Sequence, residues 1–282
     1  MNVEEKIIKD YNEILKDECN YDKLLSYEQV LKLRNIANKK IKDKKYPHNI
    51  KDPLKVVLEF FEEVYPEFYG LIIKGIKDKR IIFNSDGCYV NTTNGICHLQ
   101  DIKDDSAVFT IAHEFGHYIA LNTNPPIISN KYKMFAEVLS IYMEKQLEKY
   151  FKDKNIYLDA INARNINRAY IDRNMIDVIY LEYTYENKYK SSKLFLTDLD
   201  LNNILKITRL KGSNIINQLL TYPLGNMISE YLIDNNISIN DDLIDNLTLI
   251  NIDELLEKYK DIYTIEEMNY EKKGISRFFN KI

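Results

Sequence analysis

The stretch from Asp105 to Leu121, D-S-A-V-F-T-I-A-H-E-F-G-H-Y-I-A-L, constrains this chain more than any other. It carries an H-E-x-x-H motif at His113, Glu114 and His117. On a helix, residues four apart stack on one face, so both imidazoles project the same way. Two neutral imidazoles at that spacing supply half of a tetrahedral zinc site. Glu114 lies about 100° round the helix from His113, which sets its carboxylate beside the metal, where it can take a proton from an activated water.

The pattern around the motif predicts that helix independently. Asp105 or Ser106 can serve as N-cap, and the acidic pair Asp104–Asp105 suits the positive end of the helix dipole. Phe109, Ala112, Phe115 and Ile119 recur at spacings of three and four, giving an apolar face roughly opposite the histidines. Gly116 costs about 1 kcal/mol relative to alanine in mid-helix, which makes sense if another backbone approaches closely there.

A catalytic zinc needs a third protein ligand and an open position. Glu137 lies 20 residues after His117, in a strong helical pattern over 131–152, so an antiparallel helix pair can present its carboxylate to the metal. Ser140 and Glu144 follow on the same face, and Glu144 is placed to accept a hydrogen bond from the far nitrogen of a ligand histidine. Phe135, Val138 and Leu139 mark the flanks of this helix as buried.

Elsewhere, 3–17 and 26–42 read as amphipathic helices. A third helix starts at Asp52 as N-cap with Pro53 at N1, buries Leu54, Val57, Leu58 and Phe61, and ends before Pro66. Leu71–Ile73, Arg80–Asn84, Gly87–Asn91 and Ile96–Gln100 read as β-prone runs separated by turn signals, and predict a small antiparallel sheet. In peptidases such a strand can offer its edge to an extended substrate. His98 in the last run reads as an ordinary half-buried residue. After a Pro125-Pro126 loop the chain is nearly all helical, with pieces over 131–152, 159–188, 198–210, 213–235, 240–248 and 252–280. The expected fold class is mainly α, with the small sheet beside the H-E-x-x-H helix. The expected organisation is a single domain over 1–282: N-terminal helices to 68, sheet and zinc-binding helices over 69–152, and a helical region over 153–282.

Composition narrows the function classes. The 282 residues are 45% hydrophobic and 29% charged, as in ordinary globular proteins, and a net charge of −4 argues against a general nucleic-acid binder. The lysine-rich run over 39–45 reads as a solvated helix end. Three cysteines, Cys19, Cys88 and Cys97, without metal or redox spacing, fit reduced thiols in a cytoplasm. No secretory signal and no membrane-length apolar run is visible. The 22 tyrosines accompany abundant Ile, Asn and Lys, as in AT-rich coding, so most are not read as functional.

D-D-S-A-V-F-T-I-A-H-E-F-G-H followed by F-A-E-V-L-S-I-Y-M-E resembles the oligoendopeptidase F / thimet oligopeptidase family of zinc metallopeptidases. The likeness covers about residues 85–150, including Gly87-Cys88-Tyr89 and the Ile96–Gln100 run. It implies zinc held by His113, His117 and Glu137, water activation by Glu114, and short unstructured peptides as substrates. T-Y-P-L-G-N-M-I-S-E-Y resembles the end of the family's C-terminal segment and makes Tyr222 the candidate oxyanion donor. Two features depart from the family. No histidine follows His117, so its C-terminal histidine is missing, and Ala120 stands where many members have another. Loss of one oxyanion donor costs roughly 10²–10³ in turnover. The chain is also much shorter than full-length members, so the channel they close would stay more open or be completed by a partner.

The expectation is therefore a zinc metalloendopeptidase acting on peptides or flexible protein segments, without nucleic-acid or membrane partners. Two alternatives stay open. One is a regulatory protein resembling the metallopeptidase-like antirepressors of mobile elements, acting on one partner. The other is a binding module with a structural or degenerate zinc site.

Overall fold

The computed structural model describes residues 25–38, 46–47, 49–102, 105–123, 137–188, 215–237 and 250–264. The helices expected over 3–17, 198–210 and 240–248, the 39–45 lysine run and Cys19 lie outside these residues. The architecture is mainly helical with one small sheet. Its order is α1 (Tyr27–Ala37), α2 (Pro53–Val64), α3 (Pro66–Lys77), β1 (Ile81–Phe83), β2 (Tyr89–Asn91), β3 (Ile96–Leu99), α4 (Ala107–Asn122), α5 (Val138–Lys154), α6 (Leu158–Lys188), α7 (Ile215–Asp234) and α8 (Ile252–Lys258). No helix of the described residues is long and apolar enough to cross a membrane.

Local chemistry explains where these helices begin. Ser26 and Gln29 form a reciprocal capping box at α1. The Asp52 carboxylate accepts from the Lys55 amide at 3.0 Å, with Pro53 at the first helical position. Helix α2 buries Val57, Phe60 and Phe61, while Leu54 and Leu58 are only half-buried. Helix α1 ends at Ala37, short of the expected 42.

Leu71–Ile73 is helical, not β. Pro66 ends α2 and also opens α3, because its fixed φ and missing amide suit a first helical turn. Short apolar triplets do not distinguish strand from helix by themselves. The sheet, too, is mixed rather than antiparallel: β3 is central, antiparallel to β2 and parallel to β1. Arg80 explains the parallel pairing. Its guanidinium holds the Asn94 carbonyl and Asn122 Oδ1, and its own carbonyl accepts from the Cys97 amide. The start of β1 is thus tied to the start of β3. Helix α8 stops at Lys258 rather than running on from 252 towards 280. Tyr259 and Tyr263 instead turn inward to donate to Asp234 and Asp172, each at 2.8 Å.

One connected core runs from Leu25 to Tyr263 through all the helices. Phe115 of α4 meets Phe61 edge-on at 5.9 Å, and Phe109 meets Phe151 of α5 in the same way. Helices α4 and α5 touch at backbone level. A Cβ added to Gly116 would lie 2.5 Å from Ser140 Cα and 3.1 Å from the Leu139 carbonyl. Ser140 is fully buried, and its hydroxyl turns back to donate to the Glu137 carbonyl at 2.9 Å.

Gly116→Ala must therefore push the two helices apart. We expect a loss of about 3 kcal/mol, read as a fall in Tm of roughly 6–10 °C. A wild-type melting curve for this variant would show that the close approach carries no weight.

Candidate metal centre

Helix α4 sets His113 and His117 on one face, and Glu137 stands at the N-cap position of α5, facing them. Ser106 takes the N-cap position of α4 but makes no side-chain cap bond. Asp105 accepts instead from the amides of Asn49 and Ile50, tying the preceding loop to the motif helix. At the other helix, Ser229 of α7 donates to the Val138 carbonyl at 2.8 Å. Gly225 lets α7 close on Glu137, since a Cβ there would sit 3.3 Å from Glu137 Cβ.

Three atoms converge. His113 Nε2 is 3.1 Å from His117 Nε2 and 3.2 Å from Glu137 Oε2, which is 3.4 Å from His117 Nε2. The imidazoles stand nearly perpendicular, with centroids 4.7 Å apart. The Glu137 side chain is 12% exposed, and its Oε2 faces both imidazole Nε2 atoms.

Glu144 is buried and accepts from His113 Nδ1 at 2.6 Å, from Arg164 Nε at 3.0 Å and from Arg168. Burial opposes its ionisation, but the Arg168 and Arg164 guanidiniums overcome this and hold its carboxyl well below the usual range. An ionised Glu144 only accepts, so the Nδ1 of His113 carries a hydrogen, and its Nε2 is the nitrogen turned towards the Glu137 carboxylate. Burial also disfavours protonation of His113, but hydrogen bonds to Glu137 and Glu144 outweigh it and push the imidazole up to about 10. A tetrahedral ion about 2.0–2.1 Å from each nitrogen and oxygen would set those ligand atoms about 3.3–3.4 Å apart. The observed edges of 3.1, 3.2 and 3.4 Å lie within about 0.3 Å of that spacing, and two imidazoles with a carboxylate are a donor set that fits zinc.

Glu114 is 6% exposed, and its Oε2 is unpartnered. Burial pushes its carboxyl up, while His113 and His117 pull it down less strongly. Tyr222, on α7 just before Pro223, interacts with Glu137; burial and that carboxylate raise its phenol. The structure thus brings His113, His117, Glu137, Glu114 and Tyr222 into one neighbourhood. His98 stands apart from this group. It is half-buried, stacked on Tyr89 at 4.5 Å and paired with the Ser85 hydroxyl.

The residues missed in the sequence are Arg164, Arg168 and Asp172, one face of α6 at steps of four. Arg164 also donates to Glu148 at 3.1 Å, and Asp172 accepts from Asn226 and Tyr263. A signal was present: arginine is scarce beside lysine, and these charges interrupt a run containing the buried Ile161, Ile166, Ala169 and Ile176.

We expect Glu137→Ala to abolish stoichiometric zinc binding. Glu144→Gln should weaken it about 10–100-fold, because a neutral amide oxygen accepts from His113 Nδ1 more weakly than a carboxylate and its NH2 group is turned against Arg164 or Arg168. Competition against a chromophoric chelator measures both, and unchanged affinity in Glu144→Gln would exclude this orienting role. No family model, curated protein or solved structure matches this chain.

Proposed function

We propose that this chain is a zinc-dependent metalloendopeptidase that hydrolyses peptides or flexible protein segments. The observation that carries the reading is the triangle of ligand atoms on His113, His117 and Glu137, with a hydrogen held on His113 Nδ1 by Glu144. Zinc held there would supply Lewis acidity towards a carbonyl oxygen and a water molecule.

The chain's own residues support the remaining work. Glu114 offers a buried, unpartnered carboxylate oxygen beside the histidines. Its raised pKa suits a group that takes a proton from water and passes it to the leaving amine. Tyr222 keeps its phenolic proton, as its raised pKa requires, and so remains a donor for a developing oxyanion. Arg164 and Arg168 keep Glu144 charged, and Glu144 keeps His113 oriented. The H-E-x-x-H and E-x-x-S-x-x-x-E spacings add their resemblance to the oligoendopeptidase F / thimet oligopeptidase family. Cys88 and Cys97, both free thiols, accord with a proposed cytoplasmic setting.

The expected result is stoichiometric zinc in the purified chain and cleavage of unstructured peptides. Glu114→Gln should retain the zinc and lose about 10²–10⁴-fold in kcat. Metal analysis and peptide mass spectrometry check both parts. Protein without zinc, or a Glu114→Gln variant of full activity, rules the reading out.

A further inference from the structure

The groove between the first half of α4 and the middle of α6 closes against His113, one of the three candidate ligands, in a pocket of about 250 Å³. His113, Glu144, Arg164 and Arg168 line it, with Tyr222 beside them. Asn167 and Ile171 also line it and are exposed, so they form its mouth. A larger cavity, of about 780 Å³, adjoins the same two arginines but includes none of the metal donors. Three of its lysines, Lys145, Lys152 and Lys258, already pair with Glu230, Glu148 and Asp234.

Arg164 is only 6% exposed. Its Nε is spent on Glu144 and its Nη1 on Glu148 and Asn165, but its Nη2 has no hydrogen-bond partner. A buried guanidinium N–H without an acceptor is costly to maintain. The pocket wall holds two guanidiniums and the single carboxylate of Glu144, while Glu148 and Asp172, which also pair with them, lie outside it; guanidinium forks match carboxylates in shape and charge. The volume falls below the roughly 300 Å³ at which pockets begin to hold drug-sized ligands, and suits one amino-acid residue.

We infer that this is the specificity pocket of the site and that it receives a carboxylate of the substrate next to the cleaved bond. The carboxylate comes from an acidic side chain or from the peptide's C-terminus. This inference rests on the metallopeptidase reading. Arg164 and Arg168 then have two tasks, fixing Glu144 behind the metal and selecting the residue in front.

The test uses the full zinc-loaded chain and N-acetylated peptides differing at one residue beside the bond: Glu, Gln or Leu, each with an amidated C-terminus. A Gln peptide with a free C-terminus completes the set. We read kcat/KM for the wild type and, separately, equilibrium binding to zinc-loaded Glu114→Gln by fluorescence anisotropy. Carboxylate peptides should be favoured over their neutral counterparts about ten-fold in both readouts. Asn167→Asp, which sets a negative charge at the mouth, should cut that preference about five-fold. Preference for Glu among amidated peptides assigns the carboxylate to a side chain, and preference for the free C-terminus assigns it there. Cleavage without carboxylate preference, or a preference unmoved in Asn167→Asp, overturns the inference and leaves the peptidase reading standing. Preferential binding with no cleavage keeps the pocket and overturns the peptidase reading. Neither binding nor cleavage overturns both.

Discussion

The site depends on the backbone contact between Gly116 and Ser140. Close packing of α4 on α5 at that point sets Glu137, three residues before Ser140, on the Nε2 side of His113. It also sets Glu144, four residues after Ser140, on the Nδ1 side. One imidazole is thereby gripped from both edges by carboxylates of a single neighbouring helix. Any side chain at 116 larger than hydrogen would widen the gap between the helices. Because interiors are close-packed, that displacement cannot be absorbed locally.

Gripping a histidine in this way requires buried negative charge, and the fold balances it with buried positive charge from α6. Glu144 would be unstable as an anion without Arg164 and Arg168, and they in turn need Glu144, Glu148 and Asp172. Removing one partner from such a buried network typically costs 3–5 kcal/mol, because the survivor is left as an uncompensated charge. Asp172 carries the chain of contacts on to Asn226 of α7 and to Tyr263 beyond α8. The orientation of one proposed zinc ligand is therefore underwritten by residues spread over more than half the chain. The small mixed sheet stands apart from this charge network and is locked to α4 through Arg80 and Asn122.

Much of this was legible in the residues. The Asp52–Pro53 start and the amphipathic spacing of Phe109, Ala112, Phe115 and Ile119 are local signals, and the helices follow them. Gly116 foretold a close backbone approach because a mid-helix glycine is otherwise wasteful. Leu71–Ile73 misled because three consecutive apolar residues carry no period. The direction of β1 misled because it depends on Arg80, a side chain whose contacts at Asn94 and Asn122 lie far along the sequence. The inward turn at Tyr259 and Tyr263 was hidden for the same reason: their partners, Asp234 and Asp172, belong to other helices.

By itself the sequence determined the helix that carries His113, Glu114 and His117, because a four-residue repeat in an amphipathic segment leaves both imidazoles one geometry. It also supplied Glu137 and Glu144 at a spacing that a following helix can present. Only the tertiary structure decided that Glu144 is ionised and holds His113. That outcome is set by burial and by two arginines 20 and 24 residues further on, whose charge acts through space rather than along the chain.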